Sequence, residues 1–123
     1  MVAEKPLIWV GSSKHDLLKM PEEVIDTFGY ALDLAQKGIT DPVIKTKALT
    51  GLGSGVVEIV ESDEAGTYRA VYAAKLERAI YVLHAFMKKS KSGIAHPKPD
   101  VELIRKRLKD AQALDKEARD DRA

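Results

Sequence analysis

Cysteine is absent from the 123 residues. That removes disulfides, thiolate metal ligands and thiol nucleophiles together, and it suits a reducing, cytoplasmic setting. Histidine is scarce. His15, His84 and His96 are scattered, and no HxH or HxxxH spacing brings two imidazoles to one face, so neither a metal nor any other cofactor is expected. Long apolar runs are missing too: none approaches the roughly 18 residues that span a bilayer. The opening stretch MVAEKPLIWVG has too short an apolar core for a secretory signal, so no membrane association is expected. Nor does one sign of charge dominate, with 20 basic against 19 acidic residues and 45% of the chain hydrophobic. Such a composition belongs to folded globular chains rather than disordered ones.

Near-neutrality conceals an uneven distribution. Residues 1–36 hold three basic and six acidic groups (net −3), residues 37–98 hold ten and six (net +4), and residues 99–123 hold seven of each. Screening confines each charge to about 10 Å at ordinary salt, so a local excess can attract phosphates even on a nearly neutral molecule. A merely solvated face is the plainer reading of the same numbers.

The pattern of elements points to an α+β domain. LIWV at 7–10 reads as a first strand closed by Gly11, SKHDLLKM as a short helix, and PEEVIDTFGYALDLAQKG as an amphipathic helix with Val24, Ile25, Phe28 and Leu32 on one stripe and Gly38 as its stop. Residues 38–55 read as a connection ending in GLGSG. A phosphate loop would need those glycines to lead into a helix; they lead into a strand, so a turn is expected. Three strands follow over 55–61, 67–75 and 79–87, with links short enough to force an antiparallel meander. A last helix starts near Asp100, with Val101, Ile104, Leu108 and Ala111 on its apolar stripe. The predicted order is β-α-α-β-β-β-α, a small antiparallel-rich sheet with helices packed on one face. A single domain over 1–114 is expected, and DKEARDDRA, which lacks apolar anchors, is expected to fray from 115 to 123.

The middle of the chain carries the candidate chemistry. Arg69 stands inside a strand, where an arginine is either a salt-bridged surface residue or a cation presented on a sheet face. Strict alternation places it opposite Tyr68 and Tyr72. The same alternation groups Ile80, Val82, His84 and Phe86 on one face of the next strand, where His84 is either packed and hydrogen-bonded or poised for proton transfer. Lys88, Lys89 and Lys91 crowd the strand exit. Such a cluster either receives a polyanion or guards an edge against aggregation.

Cleavage of RNA by its own 2′-hydroxyl needs a base, a positive charge on the phosphorane and an acid for the leaving oxygen. Arg69 can hold the phosphate, Lys88 or Lys89 can serve as base or charge, and His84 or a tyrosine can move the remaining proton. Lys45, Lys47 and Lys91 extend the basic rim for RNA binding, and aromatics such as Tyr72 and Phe86 can stack a splayed base.

The run of MPEEVIDTFGYALDLAQKG, GVVEI, YRAVY, VLHAFMKKSKSG and a closing basic helix resembles the phage-derived HigB-like branch of the RelE/ParE toxin superfamily, over roughly residues 5–114. The pairing of YRxxY with LHxFxKKxxK is the specific part. The resemblance implies a RelE-like domain acting as the toxin of a type II toxin-antitoxin system. Such a toxin is a metal-independent endoribonuclease that cleaves messenger RNA on the ribosome, silenced by a helix-turn-helix antitoxin. In that likeness Arg69 matches the arginine placed near the scissile phosphate, and Lys88 and Lys89 match the lysines of the branch. His84 matches a motif position. RelE itself carries a C-terminal catalytic tyrosine; here nothing aromatic follows Phe86. Two other functions are compatible with the likeness: a ParE-like toxin acting on DNA gyrase, and a non-catalytic phage-derived regulator that binds RNA or protein.

Overall fold

The computed structural model describes residues 4–53, 55–88 and 97–120. In chain order it contains β1 (Leu7–Trp9), α1 (Ser13–Leu18), α2 (Glu22–Lys37), β2 (Thr46–Ala48), β3 (Val56–Asp63), β4 (Gly66–Ala73), β5 (Ile80–Lys88) and α3 (Lys98–Asp120). Glu22 and Glu23 sit in the first turn of α2, where the helix dipole favours carboxylates, and Lys37 in the last. Gly38, at φ 70°, ends the helix; its amide and that of Ile39 bond back to the Ala35 and Leu34 carbonyls.

The α+β class and the expected order of elements hold, with one strand added. The sheet runs β1-β5-β4-β3-β2, with β1 parallel to β5 and all other pairs antiparallel. The expected meander is β3–β5. The extra strand, β2, lies in what reads as connection because all three of its residues are exposed and carry no apolar period. The glycines after it do form a turn: the Leu49 amide bonds to the Val56 carbonyl at 2.9 Å, and the chain enters β3 directly.

Helices cover both faces of the sheet, not one. Tyr68, Ala70 and Tyr72 of β4 pack with Val24, Phe28, Ala31 and Leu32 of α2, while Val71 and Ala73 pack with Ile104, Leu108 and Ala111 of α3. Central strands that are apolar on both sides need two covers, and burying a side chain such as Phe28 contributes about 1.5–3 kcal/mol.

Strand β5 is not regular. Val71 pairs with His84 while the next residue, Tyr72, pairs with Val82, so Leu83 is surplus and forms a β-bulge. Its surroundings are tied down. The Val82 carbonyl accepts the Val10 amide at 2.9 Å and the Ser13 hydroxyl at 3.1 Å, and the Leu83 carbonyl accepts Arg107 Nη1 at 3.0 Å. Arg107 Nη2 also donates to Ser12 Oγ at 3.0 Å. Gly11, at φ 58°, passes so near this guanidinium that a Cβ there would lie 2.7 Å from Arg107 Nε. Gly11→Ala is therefore expected to cost about 2 kcal/mol, from left-handed strain and displacement of Arg107. Urea unfolding checks this; an unchanged midpoint would mean that Arg107 does not secure the bulge.

The far end of α3 is anchored, contrary to the frayed tail expected from 115. The helix continues to Asp120, and Asp115 is buried. Its carboxylate accepts the Glu77 amide at 3.1 Å, the Arg78 amide at 2.7 Å and the Tyr81 hydroxyl at 3.1 Å. The anchor is polar, so a search for apolar residues passes over it. Burial by itself would raise the Asp115 pKa; the two amides, Tyr81 and nearby Arg119 outweigh burial and hold it below the usual carboxylate range. Burial, reinforced by Asp115, pushes the Tyr81 hydroxyl up to about 12.

Because the folded Asp115 titrates below its unfolded value near ~3.9, the stability it lends is complete above about pH 4 and is lost as pH falls through the folded value. Asp115→Asn is expected to lower the unfolding free energy by about 2–3 kcal/mol near neutrality. The gap to the wild type should close in acid. A gap that stays constant down to about pH 2 would contradict the assignment.

Candidate functional site

Cross-strand pairing assembles one set of residues on the α3 side of the sheet. One row reads Lys47, Glu58, Val71, His84 from β2 to β5; the next reads Val60, Arg69, Phe86; a third reads Ser62, Thr67, Lys88. Paired residues share a face, and Val71 fixes which face this is. Under strict alternation His84 and Phe86 would join Ile80 and Val82, which pack with the α2 cluster. The bulge at Leu83 turns them over and sets them beside Arg69.

Glu58 is the only acid in these rows, and it is wholly buried. Arg69 Nη1 donates to Glu58 Oε1 in an ion pair, and Lys47 Nζ stands 3.7 Å from the same oxygen. A carboxylate out of water requires such partners. Arg69 is thus both salt-bridged and on the sheet face, but it is not a surface residue: its side chain is 12% exposed against 55% for Lys47. Its Nε is buried with no hydrogen-bond partner among the described residues.

His84 takes the packed form. Its Nε2 lies 2.7 Å from Asp100 Oδ1 in the first turn of α3, and its ring stacks on Phe86 with centroids 4.7 Å apart. Nδ1 is buried. The imidazole therefore joins sheet to helix and has no open nitrogen to offer a substrate.

The other expected site residues fall as follows. Lys88 ends β5, half-buried and paired with Thr67. Lys89 and Lys91 lie outside the described residues. Lys45 is exposed, and its carbonyl accepts the Val60 amide at 3.0 Å, which extends the β2–β3 edge toward the Arg69 row. Tyr72 is not brought to this face. It packs under α2, and burial raises its hydroxyl pKa.

Glu58 and Asp100 go unnoticed when the sequence is read for chemistry. Glu58 carries a signal in hindsight, as the lone acid inside the apolar run GVVEIV. Asp100 reads only as a helix start. No three His, Asp or Glu side chains converge into a metal site, and no helix is long and apolar enough to cross a membrane, among the described residues.

Removing one member of the buried pair strands the other. Glu58→Ala and Arg69→Ala are each expected to destabilise by about 3 kcal/mol. The double variant should lose clearly less than the sum of the two, as read by denaturant unfolding. Additive losses would show that the two charges do not depend on each other.

No curated protein matches the chain. The model of one protein family, described as Phage derived protein Gp49-like (DUF891), matches residues 15–109, a stretch that includes Glu58, Arg69, His84, Lys88 and Asp100. The chain belongs to this Gp49-like, phage-derived family.

Proposed function

We propose that the protein is the toxin of a type II toxin-antitoxin pair, of the HigB-like kind, and that it cleaves messenger RNA on the translating ribosome. Membership of a phage-derived Gp49-like family agrees with a toxin in general. The observation that carries the finer reading is the convergence of Arg69, Lys88, Phe86 and Lys47 on one sheet face.

In the reaction, the 2′-oxygen of one nucleotide bonds to phosphorus as the bond to the 5′-oxygen of the next breaks. A proton leaves the 2′-hydroxyl and another reaches the departing oxygen. Negative charge grows on the non-bridging oxygens, and cations fixed in advance stabilise it most effectively. Arg69 fits that role because Glu58 holds its guanidinium in place while engaging one nitrogen of the five-donor fork. Lys88, paired with Thr67, adds charge two residues further along β5 on the same face. Lys45 and Lys47 draw the RNA backbone, and Phe86 offers a ring to a base. His84 is a positioning residue, keeping Phe86 and Asp100 in register. An antitoxin with a helix-turn-helix domain silences the protein by laying an acidic segment over this basic face, or by holding it off the ribosome.

A second reading follows from the Arg69–Glu58 pair itself: an arginine already neutralised inside the protein can be structural, and the face would then dock a protein target such as gyrase, or an RNA or partner without cleaving it. Induced expression separates these readings. The nuclease is expected to halt translation and leave new RNA ends in ribosome-bound messages, with Arg69→Ala lowering cleavage by about 10²–10³-fold and Lys88→Ala relieving growth arrest. Arrest with intact messages and a DNA-damage response would overturn the proposal in favour of gyrase; no arrest at all would favour the regulator.

A further inference from the structure

A pocket lies at the outer edge of β5, where β1 no longer covers it: β1 pairs only with Ile80, Tyr81 and Val82. The turn between α1 and α2 supplies Lys19, Met20 and Pro21, and the strands supply Tyr68, Phe86 and Met87. Asp16 stands at its rim. We infer that this pocket receives a nucleobase of the RNA strand whose phosphate Arg69 holds, and that guanine is the base it fits best. The inference rests on the nuclease reading and deepens it.

Three features support it. The first is continuity. Phe86 lines the pocket and pairs with Arg69 on the α3 side, while Tyr68 and Met87, the next pair along, point to the α2 side, so the pocket wraps the free edge of β5 and meets the Arg69 face at Phe86. A base attached to a phosphate at Arg69 reaches the pocket across Phe86, on the neighbouring strand about 4.8 Å away. The second is lining. Phenol, phenyl and thioether groups accept the flat face of a base, and Met87 is 39% exposed at the mouth, where such contact can form.

The third feature is the rim. Asp16, in α1, and Lys19, which caps its C-terminus, both line the pocket. Ser12 Oγ donates to Asp16 Oδ2 at 2.8 Å, which steadies the carboxylate and leaves Oδ1 to accept. Guanine presents adjacent N–H donors beside a carbonyl acceptor, matching a carboxylate next to an ammonium. An apolar side chain from a protein partner would desolvate both charges without pairing either.

Two of the chain's three methionines, Met20 and Met87, line the pocket, so methyl NMR of the full chain watches it directly. Titration with GMP is expected to shift Met20 and Met87 saturably, with AMP, CMP and UMP about ten-fold weaker and ribose 5-phosphate without effect on either methyl. Asp16→Asn, checked for folding by its unperturbed spectrum, should erase the preference for GMP over AMP. The inference is overturned if no nucleotide moves these methyls, if ribose 5-phosphate moves them equally, or if only the antitoxin does, which would make the pocket a protein-docking surface. The titration involves no cleavage. A silent pocket alongside Arg69-dependent cleavage rejects the pocket and keeps the nuclease, whereas saturable GMP binding without RNA cleavage in cells rejects the nuclease and keeps the pocket.

Discussion

Leu83 has no partner in β4, and the consequences of that surplus residue reach most of the molecule. A bulge leaves backbone groups out of the ladder and bends the strand, so it persists only where other donors meet the freed carbonyls. Arg107 does this from α3, while Val10 and Ser13 do it from the β1–α1 junction. Two separate parts of the chain are thereby fastened to one irregularity. The fastening fixes parity: beyond Leu83 the side chains that would have faced α2 face α3, so His84, Phe86 and Lys88 share a side with Arg69. Buried arginine is usually expensive. Here one of its donors meets the Leu83 carbonyl at the bulge, and the guanidinium needs the space that only a glycine at position 11 leaves.

The second constraint is electrostatic. Glu58 is fully buried, and a buried carboxylate is costly unless it is paired. Arg69 and Lys47 make the charged form tolerable, and they do so unequally. The guanidinium approaches as a planar donor held in a fixed direction, while the more exposed ammonium of Lys47 supplies compensating charge from the rim. A group oriented in this way loses little freedom when an anion arrives, which distinguishes it from a flexible surface lysine.

Much of the fold is legible in the residues because period and punctuation agree. The α2 stripe, its glutamates at the start and Gly38 at the end all predict one helix, and the short links between 55 and 87 leave antiparallel pairing as the only option. What is not legible depends on single residues acting against the local pattern. Alternation assigns His84 to the face of Val82 because nothing in YVLHAF marks one residue as extra. The strand β2 is held by its ladder with β3, not by its own apolar content. Asp115 resembles the rest of a charged tail until the amides of Glu77 and Arg78 come to meet it. Of the site, Arg69 and Lys88 are legible as strand cations near one another, whereas Glu58 is hidden by the common expectation that an acid in a strand faces water. Tyr72 shows the converse: a tyrosine close in sequence to Arg69 but on the other side of the sheet.

The internal pairing of Arg69 bears on how such a face can work. If Glu58 had to be displaced before a phosphate could bind, binding would expose an unpaired buried carboxylate and lose several kcal/mol. The geometry does not require this. Glu58 is held through Nη1, and a guanidinium carries five donors, so although Nε is buried, an anion meeting the exposed part of the fork would leave the carboxylate paired. The remaining cost is repulsion between phosphate and carboxylate. That cost is lowered by Lys47, 3.7 Å from the same carboxylate oxygen, and by Lys88, two residues beyond the partner of Arg69 on the same face. On this account the acid aims the arginine and the lysines keep the field positive. For the proposed chemistry both are needed, because an arginine without its carboxylate would lose its fixed direction, and a carboxylate without the lysines would repel an incoming phosphate.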